Sequence, residues 1–228
     1  MKKPQINENL RDIILGGQDG LVNVLGIVLG VAAGTNELRL IIISGLAATF
    51  AESISMAAVA FTSTQAESEK YQSIYKKQQN FITANPESET SDVKTVFKKW
   101  GFEGALLDEA TKKITSNKES WIKFLMSEEL DLAKINKEKP FYTALVVGLA
   151  AFAGSLIPLL PFFILQDIKF AVFLSVGISS LVLFVGGFIK AKVTIGGPIK
   201  SGLELLVIGI TSAIAGFGIG SLLGTMPK

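Results

Sequence analysis

Cysteine and histidine are both absent from the 228 residues. That removes disulfides, thiolate and imidazole metal ligands, cysteine nucleophiles and Ser-His-Asp triads in one step. Any metal site must use Asp, Glu, Asn, Gln, Met or backbone oxygen. Such donors suit Mg, Ca or Mn and, less exclusively, Fe(II). Charge is scarce as well. Asp, Glu, Lys and Arg make up 18% of the chain, where a soluble domain carries about a quarter. The net charge is only +2, so no global field points to a nucleic-acid partner. No GxxxxGK[ST] loop is there to cradle a nucleoside triphosphate.

Long apolar stretches are what the chain does have. Residues 13–34, 40–61, 141–165, 170–189 and 203–224 carry little or no charge. Each can cross a hydrocarbon core about 30 Å thick at about 1.5 Å per helical residue. They predict an all-α integral membrane protein with five transmembrane helices. The N-terminus, MKKPQINENLRD, is too polar for a signal core and the segment after it too long, so the first span is expected to remain.

Between spans two and three lies a polar insert. The organisation expected is 1–64 for the tail and spans one and two, 65–139 for a small helical cytoplasmic domain, and 140–228 for spans three to five. Helical periodicity recurs in the insert, in Val93, Val96, Phe97 and Trp100, in Leu106, Leu107, Ala110 and Ile114, and in Trp121, Phe124 and Leu125. Val96, Trp100, Trp121 and Phe124 are the expected core. Span two is expected to continue as helix through AESEKYQSIYKKQQNF, with no Gly or Pro before Pro86. Asn85-Pro86 and Lys99-Trp100-Gly101 supply breaks. Lysines set the orientation. Lys2, Lys3, Arg11, Lys70, Lys76, Lys77, Lys134, Lys137, Lys139, Lys190, Lys192 and Lys200 fall on one side, against Arg39, Lys169 and Lys228 on the other. The positive-inside rule then predicts a cytoplasmic N-terminus and insert and an external C-terminus.

Three carboxylates fall within the spans: Asp19, Glu52 and Glu204. A carboxylate at mid-membrane costs about 2.5–3.5 kcal/mol on insertion scales and typically marks an ion or proton pathway. The alternative for each is a structural carboxylate bonded to a neighbouring helix. Asn23 shares a face with Asp19 at i+4, among Gly16, Gly17 and Gly20, which let a helix or an ion approach the backbone. Gly26, Gly30 and Gly34 suit plain helix packing. Glu52 lies near the middle of span two, with Met56 one turn on and Ser55 on the same flank. A thioether beside a hard carboxylate favours a borderline transition metal over Ca or Mg, although methionine is also an ordinary gap-filler. Glu204 opens span five, where the helix dipole alone would favour an acid. Pro158 and Pro161 break span three toward its outer end.

Read in order, LRDIILGGQDGLVNVLGIVLGVAAG, GLAATFAESISMAAVAF, AFAGSLIPLLPFF and SGLELLVIGI resemble segments of the vacuolar iron transporter family, over nearly the whole chain. The resemblance implies a homodimer of five-span subunits that exports Fe(II) or Mn(II) from the cytosol in exchange for protons. It implies a cell membrane in a prokaryote and a vacuolar membrane in a eukaryote. The partners implied are the metal ion, protons, lipid and a second copy, with no cofactor beyond the transported ion. Asp19 matches the family's first-span aspartate and Met56 its second-span methionine, both lining the pathway where subunits meet. A family glutamate two turns before that methionine falls on Ala48, and helix geometry lets Glu52 take its place. In the insert, Gln78, Phe81 and Leu125 stand where the family has metal ligands. Glu89, Asp92, Met126 and Glu129 resemble the remaining ones.

Two other classes remain. One is a transporter or channel for a different small cation, against which Met56 argues. The other is a membrane enzyme or a non-transporting scaffold. Without His or Cys, a hydrolase would need an aspartyl or Ser-Lys site, and no lysine lies well inside a span.

Overall fold

The computed structural model describes residues 8–128, 140–193 and 196–224, and among these it is helical with no strand. Five helices are long and apolar enough to cross a membrane. They are α1 (Glu8–Thr35), α2 (Leu38–Ala84), the broken pair α6 (Pro140–Leu156) and α7 (Leu160–Ile164), α8 (Ile168–Val193) and α9 (Pro198–Gly224). α1, α8 and α9 outrun their apolar runs by a few residues, because polar residues at the boundary still close helical hydrogen bonds. α2 is the extreme case and reaches Ala84 uninterrupted. The turn between α1 and α2 is tight, with Asn36 at φ +53°, a region Asn tolerates better than most residues.

Contacts divide the chain into two compact units, 1–62 with 140–228, and 63–139. In the first unit α1 is the hub. Its early turns lie on α6, where a Cβ at Gly16 or Gly20 would collide with the Val147 or Ala151 carbonyl. Its later turns lie on α9. Gly26, Gly30 and Gly34 meet Ser212, Gly216, Gly220 and Gly224 in succession, and Ser212 Oγ donates to the Val22 carbonyl at 3.0 Å. Small residues at i+4 on both helices let the backbones touch, which gives a tight membrane seam. Residue numbers rise together along α1–α6 and α1–α9 and run oppositely along α8–α9, where Leu183 meets Gly209 and Gly187 meets Ser201. Spans one, three and five are therefore parallel, as alternating crossings require. Val24, Val28, Ile41, Leu159, Phe162 and Ala171 fill the apolar centre.

The prolines act as expected. Ile157–Leu159 tightens into a 3₁₀ turn, and the Pro158 carbonyl accepts from Ser175 Oγ on α8 at 2.7 Å. That bond satisfies a group which a proline-broken helix would otherwise leave in hydrocarbon.

The second unit packs the end of α2 with α3 (Pro86–Lys99), α4 (Gly104–Thr115) and α5 (Lys118–Glu128). Its core holds Ile82, Val93, Phe97, Leu107, Trp121, Ile122, Leu125 and Met126, with Val96 also buried. Trp100 departs from expectation and is 52% exposed. α3 ends one residue earlier and the chain reverses at Gly101, φ +86°. The indole is left on the surface, edge-on to Phe97 and Phe124.

Candidate functional site

Asp19 and Asn23 sit one turn apart on α1. The neighbouring glycines are committed to α6 and α9, so Asp19 is half-buried and Asn23 exposed. Glu52 comes from α2 and is also half-buried. Its position is fixed by the next residue, since Ser53 Oγ donates to the Gly148 carbonyl on α6 at 2.8 Å. Ala57, one turn further, abuts Gly148. With α2 pinned there, the Glu52 carboxylate comes within side-chain hydrogen-bonding reach of both Asp19 and Asn23. Two acids and an amide from two different helices thus converge near the middle of the membrane-spanning unit.

A direct hydrogen bond between two carboxyl groups needs one proton between them, because an ionised carboxylate only accepts. The Asn23 amide can donate to either acid, and its carbonyl oxygen remains a neutral donor for a cation. Chemically the cluster can hold a proton or exchange it for a cation. Met56 is half-buried on the next turn of α2. Ala48 packs instead against the apolar centre around Val24 and Val28, so the carboxylate of this chain stands one turn away from that centre. Glu204 is exposed in the second turn of α9, and no third carboxylate joins Asp19 and Glu52 among the described residues. A groove of about 740 Å³ starts at Asn23 and Glu52. It follows the α1–α9 glycine seam past Gly30 and Gly220 to Thr35 and Gly224 at the helix ends.

In the second unit the candidate ligands are dispersed. The Gln78 side chain, 7% exposed, donates through Nε2 to Glu89 Oε2. Asp92 is half-buried. Met126 is 1% exposed, closed in by Trp121, Ile122 and Leu125, and Phe81 lies on the surface. Glu129 lies outside the described residues. What sequence reasoning missed is the Gln78–Glu89 bond. Its signal was present, since a Gln among charged residues on an otherwise solvated helix falls in register with half-buried Ile74 and buried Ile82.

Residues 10–221 match the profile of the VIT family. Among curated relatives, vacuolar iron transporter 1 of Oryza sativa subsp. japonica is 28% identical over 96% of this chain and 86% of its own length. Vacuolar iron transporter 1 of Arabidopsis thaliana is 29% identical over 92% and 84%. Vacuolar iron transporter cccA of the fungus Arthroderma benhamiae is 26% identical over 95% and 81%. Five membrane-length helices and a match along almost the whole sequence agree, and this chain belongs to the VIT family.

Proposed function

We propose that the protein exports Fe(II), Mn(II) or both from the cytosol in exchange for protons, through a pathway formed where two copies meet. The observation that carries this reading is the convergence of Glu52, Asp19 and Asn23. A hydrogen bond between the two carboxyl groups requires one shared proton. A dication displaces that proton and meets two carboxylates, so loading releases protons and an acidic far side favours unloading. Iron is the cargo in the names of the relatives. Manganese follows from the donor set, hard oxygen with a thioether one turn away.

With each carboxylate binding through one oxygen, one subunit offers two acids, an amide and a thioether, four donors for an ion that takes about six. A second copy placed against α1 and α2 would double the set and cover Asn23, which lipid would otherwise face. Cytosolic metal then enters past Glu204 and Asp19, binds between Glu52 and Met56, and leaves along the groove beside the glycine seam. The N-terminus and residues 65–139 lie in the cytosol on this reading.

Proteoliposomes loaded with a metal-sensing dye and a pH dye test it directly. Fe(II) and Mn(II) should enter with opposite proton flow, ahead of Zn(II) and Co(II). Potassium flux without divalent flux would make the protein a channel for another cation. No flux of any ion would leave a scaffold.

A further inference from the structure

We propose that the contact of Ser53 and Ala57 with Gly148 is a size gauge for the transported ion. It fixes the distance between Glu52 and Asp19, so that Fe(II) or Mn(II) fits and the larger Ca(II) does not. The inference rests on the export reading and assigns that site its selectivity. Glu52 and Asp19 come from different helices, so the gap between their carboxylates depends on how α2 and α1 are held. Both holds run through backbone. Ser53, next to Glu52, donates from Oγ to the Gly148 carbonyl on α6 at 2.8 Å. A Cβ at Gly148 would lie 2.9 Å from the Ala57 Cβ and 3.2 Å from the Ser53 carbonyl oxygen, so α2 and α6 touch there. α6 in turn meets α1 without side chains between them. Cβ atoms at Gly16 and Gly20 would strike the carbonyls of Val147 and Ala151, and one at Gly154 would strike that of Gly17. Asp19 and Glu52 are thus the two tips of a frame made of three helix backbones.

Such a frame can measure an ion. Discrimination between cations of equal charge depends on cavity size and on how far the ligands can move. A small hard cation such as Mg(II) binds oxygen at about 2.0–2.1 Å, and Ca(II) at about 2.3–2.6 Å. Across a site with a carboxylate on either side the difference doubles, to roughly 0.4–1.2 Å. Packed carbons sit about 3.5–4.0 Å apart, so a methyl group at Gly148 would push Ala57 back by roughly 0.6–1.1 Å. One methyl group therefore moves α2 by about the step in ion size. Met56 does not supply this discrimination. A thioether sorts soft ions from hard ones, whereas Mn(II) and Ca(II) both favour oxygen, so spacing is the stronger gauge between those two.

Competition in proteoliposomes of the full-length protein tests this, with Ca(II) added against Mn(II) uptake. In the wild type, Ca(II) at equal concentration should neither enter nor slow Mn(II). In Gly148→Ala and in Ser53→Ala, Ca(II) should compete about tenfold better and itself enter, the low end of what loss of a supporting contact does to metal affinity. Adding Ala57→Gly to Gly148→Ala removes the methyl group that the new one strikes and should restore the wild-type preference. Ser53→Thr keeps a hydroxyl and should keep the preference. An unchanged preference in Gly148→Ala would overturn the proposal. So would a parallel loss of Mn(II) and Ca(II) uptake that Ala57→Gly does not restore, since the contact would then serve folding alone. A wild type that carries Ca(II) as readily as Mn(II) would leave export standing and overturn only this inference. A wild type that carries no divalent ion would overturn both.

Discussion

At the scale of single residues, the proposed chemistry rests on three side chains that sequence periodicity only partly joins. Asp19 and Asn23 were legible as a pair because i+4 spacing on a helix fixes their common face. That Glu52 meets both was not legible, since it depends on how α2 is held against α6 by Ser53 and Ala57. Asp19→Asn keeps size and hydrogen bonding but removes the titratable charge. It should insert normally and lose transport by more than the roughly 10–100-fold that follows loss of an outer-shell partner. Glu52→Gln should be as damaging, because the amide can still bond to Asp19 yet cannot release a proton to an incoming dication. Initial rates of Fe(II) uptake in proteoliposomes read both variants. If Glu52→Gln transports at the wild-type rate while Met56→Ala does not, Glu52 is structural and the methionine carries the ion.

Among the elements, helix lengths are legible in the sequence but helix partners are not. The absence of Gly and Pro before Pro86 announced the run of α2, and Pro158 with Pro161 announced the break in span three. The glycines announced close packing without saying against what, because an i+4 stripe fits any small-residue stripe of matching pitch. Here Gly30 and Gly220 face each other, and a Cβ at Gly220 would strike the Gly30 carbonyl. Trp100 was misplaced for a local reason, a chain reversal at Gly101 that apolar periodicity does not register. Gly220→Leu should push α9 off α1. Overpacking costs about 1–3 kcal/mol, which corresponds to a fall of about 2–12 °C in Tm for a chain of this size. Gly177→Ala, with open space around its Cβ position, should leave Tm unchanged. Thermal unfolding followed by circular dichroism in detergent separates the two. In the second unit, Gln78→Leu deletes a buried donor to Glu89 and should cost about 1–3 kcal/mol. Glu89→Gln, which keeps an acceptor, should cost less.

For the whole molecule, the question is what covers α2. Its membrane window is only 17% buried, against 50% for the span containing α6. Apolar exposure alone needs no partner, since lipid accepts Phe50, Ile54 and Val59 readily. Glu52 and Asn23 are different, because a carboxylate and an amide next to acyl chains lose water and keep only the partners they find on α1 and α2. α8 is nearly as exposed, 22% buried in its window, but its outer face presents Phe170, Phe173 and Leu181 and no acid. A second copy should therefore sit against α1 and α2 and leave the outer face of α8 to lipid. The cysteine-free chain makes this measurable, since any introduced thiol is the sole thiol. Ser55→Cys, on the exposed flank beside Glu52, should link two chains through a short bis-maleimide in membranes and give a dimer band on a denaturing gel. Phe173→Cys, 74% exposed at the wild-type residue, should stay monomeric under the same treatment. Fe(II) should shift the rate of Ser55→Cys linking, because an ion held by both copies draws the two α2 helices into one geometry. A monomeric Ser55→Cys variant that still transports would place the whole pathway within one subunit, with the α1–α9 groove beside Asn23 and Glu52 as its candidate outlet.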